Sequence, residues 1–196
     1  MADPWLRRIK RTGKLTYFNK ASSWNTAVSK AVETFNGLAF GVEYKTADDE
    51  RSANVVIVPA TSKTTYPYFG TTLKPGNKFK GDDLNGHTST PRDGNPLQIF
   101  FACIFLPANV KGATPGQKEM VTLHELIHAA GMDDHDSMGL MYPYMIAEGD
   151  GLIEQLHDKD AKPMPPVRLG TRTRCTLPML WMDAEKFSQI EGCKKD

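Results

Sequence analysis

His124 and His128 stand four residues apart with Glu125 beside the first, in the run His124-Glu-Leu-Ile-His128. On an α-helix residues i and i+4 share a face, so both imidazoles can be directed at one divalent ion. Glu125 is displaced too far around that face to join them as an equal ligand. It can instead hydrogen-bond a water on the ion from the side and take its proton, the general-base role. Zinc suits such a site because it lowers the pKa of its water towards about 7, making hydroxide available at neutral pH. Glu125 then passes the proton to a leaving amine.

A catalytic zinc needs three protein ligands and an open fourth position. Gly131 sits where a left-handed residue commonly ends a helix and turns the chain, and Asp134 and His135 follow it closely. Either can complete the set. His135 is favoured, because neutral imidazole is a common catalytic-zinc ligand and one extra loop residue is easily accommodated.

The helix that must carry the pair is well specified. Thr114 can cap its start, Pro115 suits the first helical position, and Gln117 stands three residues after the cap, as a capping box requires. Met120, Val121, Leu123, Leu126, Ile127, Ala129 and Ala130 cover most of the circumference, which predicts a helix buried on more than one side. A buried helix whose histidines are held by core hydrogen bonds is the plainer alternative.

Upstream, Leu15 to Phe18 reads as a strand. Trp24, Ala27, Val28, Ala31, Val32 and Phe35 recur at three and four, an amphipathic helix stopped near Gly37. Leu38 to Tyr44 alternates as a strand, and Val55-Val-Ile-Val58 is a short buried one within Asn54 to Pro59. Residues 60–98 are rich in Thr, Gly, Pro, Asn and Asp, which predicts long loops around one edge strand near Tyr66 to Thr72.

The segment from His124 onward resembles a metzincin metallopeptidase. That clan carries HExxHxxGxxH followed by a methionine-containing turn, and His124, Glu125, His128 and Gly131 fall in register with it. Gly139-Leu-Met141-Tyr-Pro143 is similar to the Met-turn of the matrixin branch, with Met141 beneath the ligands. The expected third histidine position holds Asp134. The snapalysin-like pattern HExxHxxGxxD makes Asp134 the ligand; the matrixin pattern with a loop one residue longer makes it His135. Strand, helix, strand, strand, obtained from periodicity alone, is also how a metzincin opens. The resemblance spans most of residues 14–157 and is specific only after position 99.

The resemblance implies an α+β fold: a small twisted mixed sheet with an active-site helix and a backing helix, and a Met-turn subdomain after the zinc helix. Residues 1–157 would form the catalytic domain, with 1–13 a basic N-terminal segment, and 158–196 a C-terminal tail packed on or extending it. It also implies a zinc-dependent endopeptidase with one catalytic Zn2+, taking a polypeptide extended along an edge strand by main-chain hydrogen bonds. Tyr66, Tyr68 and Phe69 are candidates for the upper rim of the cleft, although half-buried strand aromatics are the simpler expectation. Tyr142, Pro143 and Tyr144 are pocket or oxyanion candidates. Astacin-like enzymes place a tyrosine two residues after the turn methionine, where this chain has Pro143, so a pocket wall of Pro143 and Tyr144 fits better. A hydroxyl from Tyr144 would contribute about 3 kcal/mol to a transition state.

Matrixins also hold structural metals in their loops. Asp82, Asp83, Asn85 and Asp93 with His87 are candidates for a structural Ca2+ or a second Zn2+, but they match no EF-hand spacing and are equally what turns use. Gly151 to His157 reads as a short helix, with His157 at its end and not a ligand, and a further helix is expected from Asp183 to Gln189.

The three cysteines divide by context. Cys103, in the apolar run Ile99 to Leu106, is expected as a buried thiol in a strand. Cys175 and Cys193 can pair with each other. A thiolate on zinc, as in matrixin propeptides, is the alternative for Cys175, which follows Arg174 but lies at the wrong end of the chain.

At 196 residues the chain suits one domain with its own core, and 40% apolar with 24% charged residues is a globular composition. A net charge of +1 argues against a nucleic-acid partner held by bulk electrostatics. Arg7, Arg8, Lys10, Arg11 and Lys14 read as a solvated terminal segment. No run approaches the ~18 apolar residues of a membrane span. Met1-Ala-Asp-Pro-Trp5 is not the start of a secretory signal, so the chain acts where it is made, is exported without a cleaved signal, or has a leader outside this sequence. A monomer is expected. Two other functions fit the same motif less fully: a zinc-containing binding or toxin-like module whose task lies in the tail, and a hydrolase of small amides or cell-wall peptides.

Overall fold

The computed structural model describes residues 4–93, 97–135, 167 and 169–193. The fold is α+β, built on a small mixed sheet. Five strands form it: β1 (Lys14–Asn19), β2 (Glu43–Thr46), β3 (Val55–Ala60), β6 (His87–Ser89) and β9 (Ala102–Pro107), in the order β2-β1-β3-β9-β6. The first four run parallel, and β6 closes one edge antiparallel to β9, with Thr88 opposite Ile104.

The central strands explain their own composition. Val55 and Ile57 of β3 and Ile104 and Leu106 of β9 face one side; Val56, Val58, Cys103 and Phe105 face the other, and all are buried. Strands covered on both faces read as continuous apolar runs, as Val55 to Val58 does. On the first face lie α2 (Asn25–Gly37), through Ala27, Val28, Ala31, Val32 and Phe35, and α3 (Pro115–Ala129), through Met120, Val121, Leu123 and Ile127. These two helices pack on each other as well as on the sheet.

The opposite face is covered by β4 (Tyr66–Tyr68) and β5 (Thr71–Leu73), an antiparallel hairpin separate from the main sheet. The expected edge strand near Tyr66 to Thr72 is therefore corrected. Phe69 (φ 40) and Gly70 (φ 76) both take the left-handed conformation that reverses a two-residue hairpin, and the segment folds back on itself. Tyr66 and Tyr68 stack on Phe101 with ring centroids 5.8 and 3.7 Å away, so they are packing residues and not a cleft rim. Phe69 is left 90% exposed at the turn. The edges of the main sheet are β2 and β6, and β6 is the one beside α3.

Two other boundaries move. The strand expected over Leu38 to Tyr44 begins only at Glu43, because Ala39 (φ 54) and Gly41 (φ 84) adopt left-handed backbone that no strand contains. The apolar run Ile99 to Leu106 is divided, with β8 (Gln98–Ile99) pairing β7 (Arg92–Asp93) and β9 continuing the main sheet.

Both ends of the described chain are anchored. Arg7, Arg8, Arg11 and Lys14 are exposed, but the segment carrying them is held by Trp5, which is wholly buried and bridges to Ile99. It continues into the short helix α1 (Arg7–Lys10), with Ile9 buried. At the other end α4 (Thr171–Trp181) inserts Leu177, Leu180 and Trp181 into the main core. The sequence alone did not indicate this helix, because three threonines, Cys175 and Pro178 are poor helix residues and tertiary burial has overridden them. A disulfide, Cys175–Cys193, ties α4 to the segment after α5 (Ala184–Ser188), which Asp183 caps by accepting from the Lys186 backbone N–H. With its sulfur in that bond, Cys175 is not available as a thiolate for zinc. Cys103 is the buried thiol of β9 that its apolar run implied. No described helix is long and apolar enough to cross a membrane.

Candidate metal centre

The capping box fixes where α3 starts. Thr114 Oγ1 accepts from the Gln117 backbone N–H at 3.2 Å, and Gln117 Oε1 accepts from the Thr114 N–H at 2.8 Å, with Pro115 in the first turn. The other end is fixed by Gly131. Its φ of 113 is available to glycine, and its N–H reaches the His128 carbonyl at 2.9 Å while the Met132 N–H reaches that of Ile127 at 3.4 Å. These are the two bonds of a Schellman stop. A Cβ at Gly131 would also lie 2.9 Å from the Pro4 side chain.

Carbonyls in the last turns of α3 receive side-chain donors from distant segments, Leu126 O in addition to the Ala130 N–H it already accepts. The Tyr44 hydroxyl donates to Leu126 O at 2.7 Å, the Trp5 indole N–H to Ala129 O at 3.0 Å and the Trp181 indole N–H to Ala130 O at 2.8 Å. Burial without water to hydrate the phenolate holds the Tyr44 hydroxyl well above the usual tyrosine range, so it remains a donor.

The chain turned at Gly131 brings His135 back over the helix. His128 Nε2 lies 3.1 Å from His124 Nε2 and 3.3 Å from His135 Nε2, and the ligand atoms of all three lie within 4.8 Å of one another. Zinc–imidazole bonds of about 2.0–2.1 Å in tetrahedral geometry place neighbouring nitrogens about 3.3 Å apart. The three histidines are therefore close enough to hold a metal ion, and the two separations from His128 match that edge length. His128 Nδ1 meets Met132 O at 2.6 Å; the proton on Nδ1 leaves the Nε2 lone pair facing the other two rings. Burial lowers the pKa of His128 to about 4, against the Met132 carbonyl, which raises it, so the ring is neutral and ready to ligate. Burial lowers that of His135 as well.

Asp134 is turned away. Its carboxylate is paired with Arg172 of α4, and Asp133 is paired with Arg92 of β7. Asp82, Asp83, Asn85, Asp93 and His87 do not gather: among the described residues, His124, His128 and His135 are the group of three or more ligand side chains that converges. Asp83 instead pairs with Lys80 at 3.4 Å.

Glu125 is buried beside the histidines, 4% exposed, and burial pushes its carboxyl up to about 7. Thr88 of β6 opposes that shift by donating its hydroxyl to Glu125 Oε2 at 2.6 Å, a distance that outcompetes the 3.1 Å approach to Glu125 O. Gly86, just before the strand, is in close contact with the same side chain: a Cβ there would stand 2.4 Å from Glu125 Cγ. These contacts aim the carboxylate into a cleft of about 610 Å³, whose walls include Leu84, Gly86, Thr88 and the three histidines.

Thr88, Gly86, Arg92 and Arg172 were not singled out by the sequence. They act through position in the fold, and His87-Thr-Ser89 is too short and polar for a strand signal. Met141, Tyr142, Pro143, Tyr144 and His157 lie outside the described residues. Comparison with protein-family models and with curated proteins gives no match.

Proposed function

We propose that this chain is a zinc-dependent endopeptidase of metzincin type. The observation that carries the reading is the convergence of His124, His128 and His135, with ligand atoms within 4.8 Å of one another, and a buried carboxylate, Glu125, beside them in an open cleft. Neutral imidazole nitrogens are the donor set that suits zinc.

Zinc bound by His124, His128 and His135 supplies Lewis acidity, which polarises a peptide carbonyl and acidifies water. Glu125 takes the proton of the attacking water and delivers it to the departing amine. In the metal-free protein burial holds this carboxyl up at about 7, and its ionised form is the one that can take a proton from water. Thr88 fixes the carboxylate's rotamer and keeps part of its anionic character.

The edge strand supports a peptide substrate. β6 is paired with β9 on one side and ends the sheet on the other, and Gly86, His87, Thr88 and Thr90 line the cleft along it. An extended peptide can add to that edge by main-chain hydrogen bonds.

The test is metal content by mass spectrometry, with casein and gelatin cleavage followed in the same samples. Wild type should hold one zinc per chain and cleave; H124A and H135A should lose zinc; D134A should keep it; E125Q should keep zinc and lose cleavage. A wild type without zinc would refute the reading.

A further inference from the structure

Asp133 and Asp134 precede His135 directly, and a divalent ion at the three histidines would attract both carboxylates. Each is instead held by an arginine from a different part of the fold. Arg92 Nη2 meets Asp133 Oδ2 from β7, and Arg172 Nη2 meets Asp134 Oδ2 from the first turn of α4. The side chains of Asp133 and Asp134 are 59% and 69% exposed and those of Arg92 and Arg172 28% and 55%. Ion pairs so exposed contribute little to folding stability. Their effect lies in where they hold the loop.

Among the described residues these two ion pairs are the side-chain contacts that hold Asp133 and Asp134. Gly131 and Met132 are buried and hydrogen-bonded to α3, but residues 133–135 are exposed. Arg92 and Arg172 reach the two aspartates from 41 positions before and 38 positions after them, and line a small cavity with Pro4, Gly131 and Leu180. α4 itself is fixed by Trp181 on the Ala130 carbonyl and by the Cys175–Cys193 bond.

We propose that Arg172 and Arg92 are positioning residues of the metal centre, which hold Asp134 and Asp133 outward so that His135, and not Asp134, supplies the third ligand. This rests on the metal-centre reading given above. It also assigns a role to the C-terminal segment, whose helix α4 presents Arg172 to the loop. Without Arg172 the Asp134 carboxylate is free to compete for the ion, and an oxygen replaces a nitrogen in part of the population.

Zinc affinity, measured by chelator competition, tests this on full-length wild type, R172A, R172K, R92A, D134A, H135A and the double variant R172A/H135A. Visible spectra of the cobalt(II)-loaded proteins report the ligand set directly. R172A should weaken zinc about 10-fold, the size typical of losing a partner that orients a ligand, and should change the cobalt spectrum; R92A should weaken it less. R172K should restore most of the affinity. H135A should weaken zinc more, and adding R172A to it should cause no further loss, because Arg172 acts through His135. D134A should leave zinc bound with the wild-type spectrum.

If H135A loses zinc but R172A binds it as tightly as wild type with an unchanged spectrum, the proposal fails while the metal centre stands. Additive losses in the double variant overturn it too. If D134A loses zinc and H135A does not, Asp134 is the ligand and the arginines have the opposite role. Absence of zinc from wild type removes both readings.

Discussion

Thr88 Oγ1 donates to Glu125 Oε2 across 2.6 Å, joining the edge strand of the sheet to the carboxylate of the metal-site helix. The bond opposes the burial that raises this group, so it sets how much carboxylate exists at neutral pH. In T88V the donor is gone and the pKa of Glu125 rises further. The acidic limb of the pH–rate profile for peptide cleavage should move up by about one unit, corresponding to a charge-assisted bond of ~1.5 kcal/mol. T88S should return it. An unmoved limb would show that Thr88 does not tune the base.

Glu125 also has a signature in the metal-free protein. Its folded pKa of about 7 stands above an ordinary 4.5, so the folded state holds the extra proton between those values. That contribution is fully present below pH 4.5 and lost as pH rises through 7. E125Q removes it. In the presence of chelator, denaturant titrations should show E125Q gaining on wild type as pH rises from 4.5 to 8, by roughly 3 kcal/mol. A difference independent of pH would contradict the buried titration.

His128 acts with the opposite sign. It is a base whose folded pKa, about 4, lies below an ordinary 6.5, so the unfolded chain binds the extra proton between them. Metal-free E125Q, freed of the opposing carboxyl, should therefore lose stability steadily as pH falls from 6.5 towards 4. E125Q/H128A should show a shallower decline over the same window in the same titration.

Gly86 tests the packing of the base. Alanine there brings a methyl carbon within 2.4 Å of Glu125 Cγ, and one of the two must move. G86A should retain zinc, because none of the three histidines is touched, while cleavage falls about 100-fold from misplacement of the base. Equal kcat/KM in G86A and wild type would mean that the loop yields instead.

The Cys175–Cys193 bond closes a separation of 18 residues. The chain-entropy model assigns such a loop roughly 3 kcal/mol, so C175S/C193S should lower the unfolding free energy by about that amount. A loss under 1 kcal/mol would mean that the core contacts of Leu177, Leu180 and Trp181 already hold α4.

What could be read from the residues follows a physical division. Thr114, Pro115 and Gln117 act within one helical turn, and the apolar spacing of α2 acts within one helix, so both were legible. Cys103 was legible for the same reason, as part of a continuous apolar strand. His124, Glu125 and His128 were legible because four residues of helix bring them together, and His135 because only a short turn intervenes. Thr88, Gly86, Arg92 and Arg172 reach their partners at the site from 37 or more positions away, through strand pairing and the docking of α4, and their residue types carry no local signal. The hairpin of β4 and β5 was misjudged because Phe69 adopts a conformation that its type disfavours.

The donors on the final carbonyls of α3 set an order of events. Trp5, Tyr44 and Trp181 stand 124, 82 and 51 positions from the residues whose carbonyls they hold. Trp181 is therefore translated 51 residues after Ala130, and a ribosome adding about 5–20 residues per second takes several seconds to reach it. Until then the helix end beside His128 lacks its last donor, and Arg172 has only just followed. The helix end beside the three histidines is therefore completed only after α4 has been made and has docked.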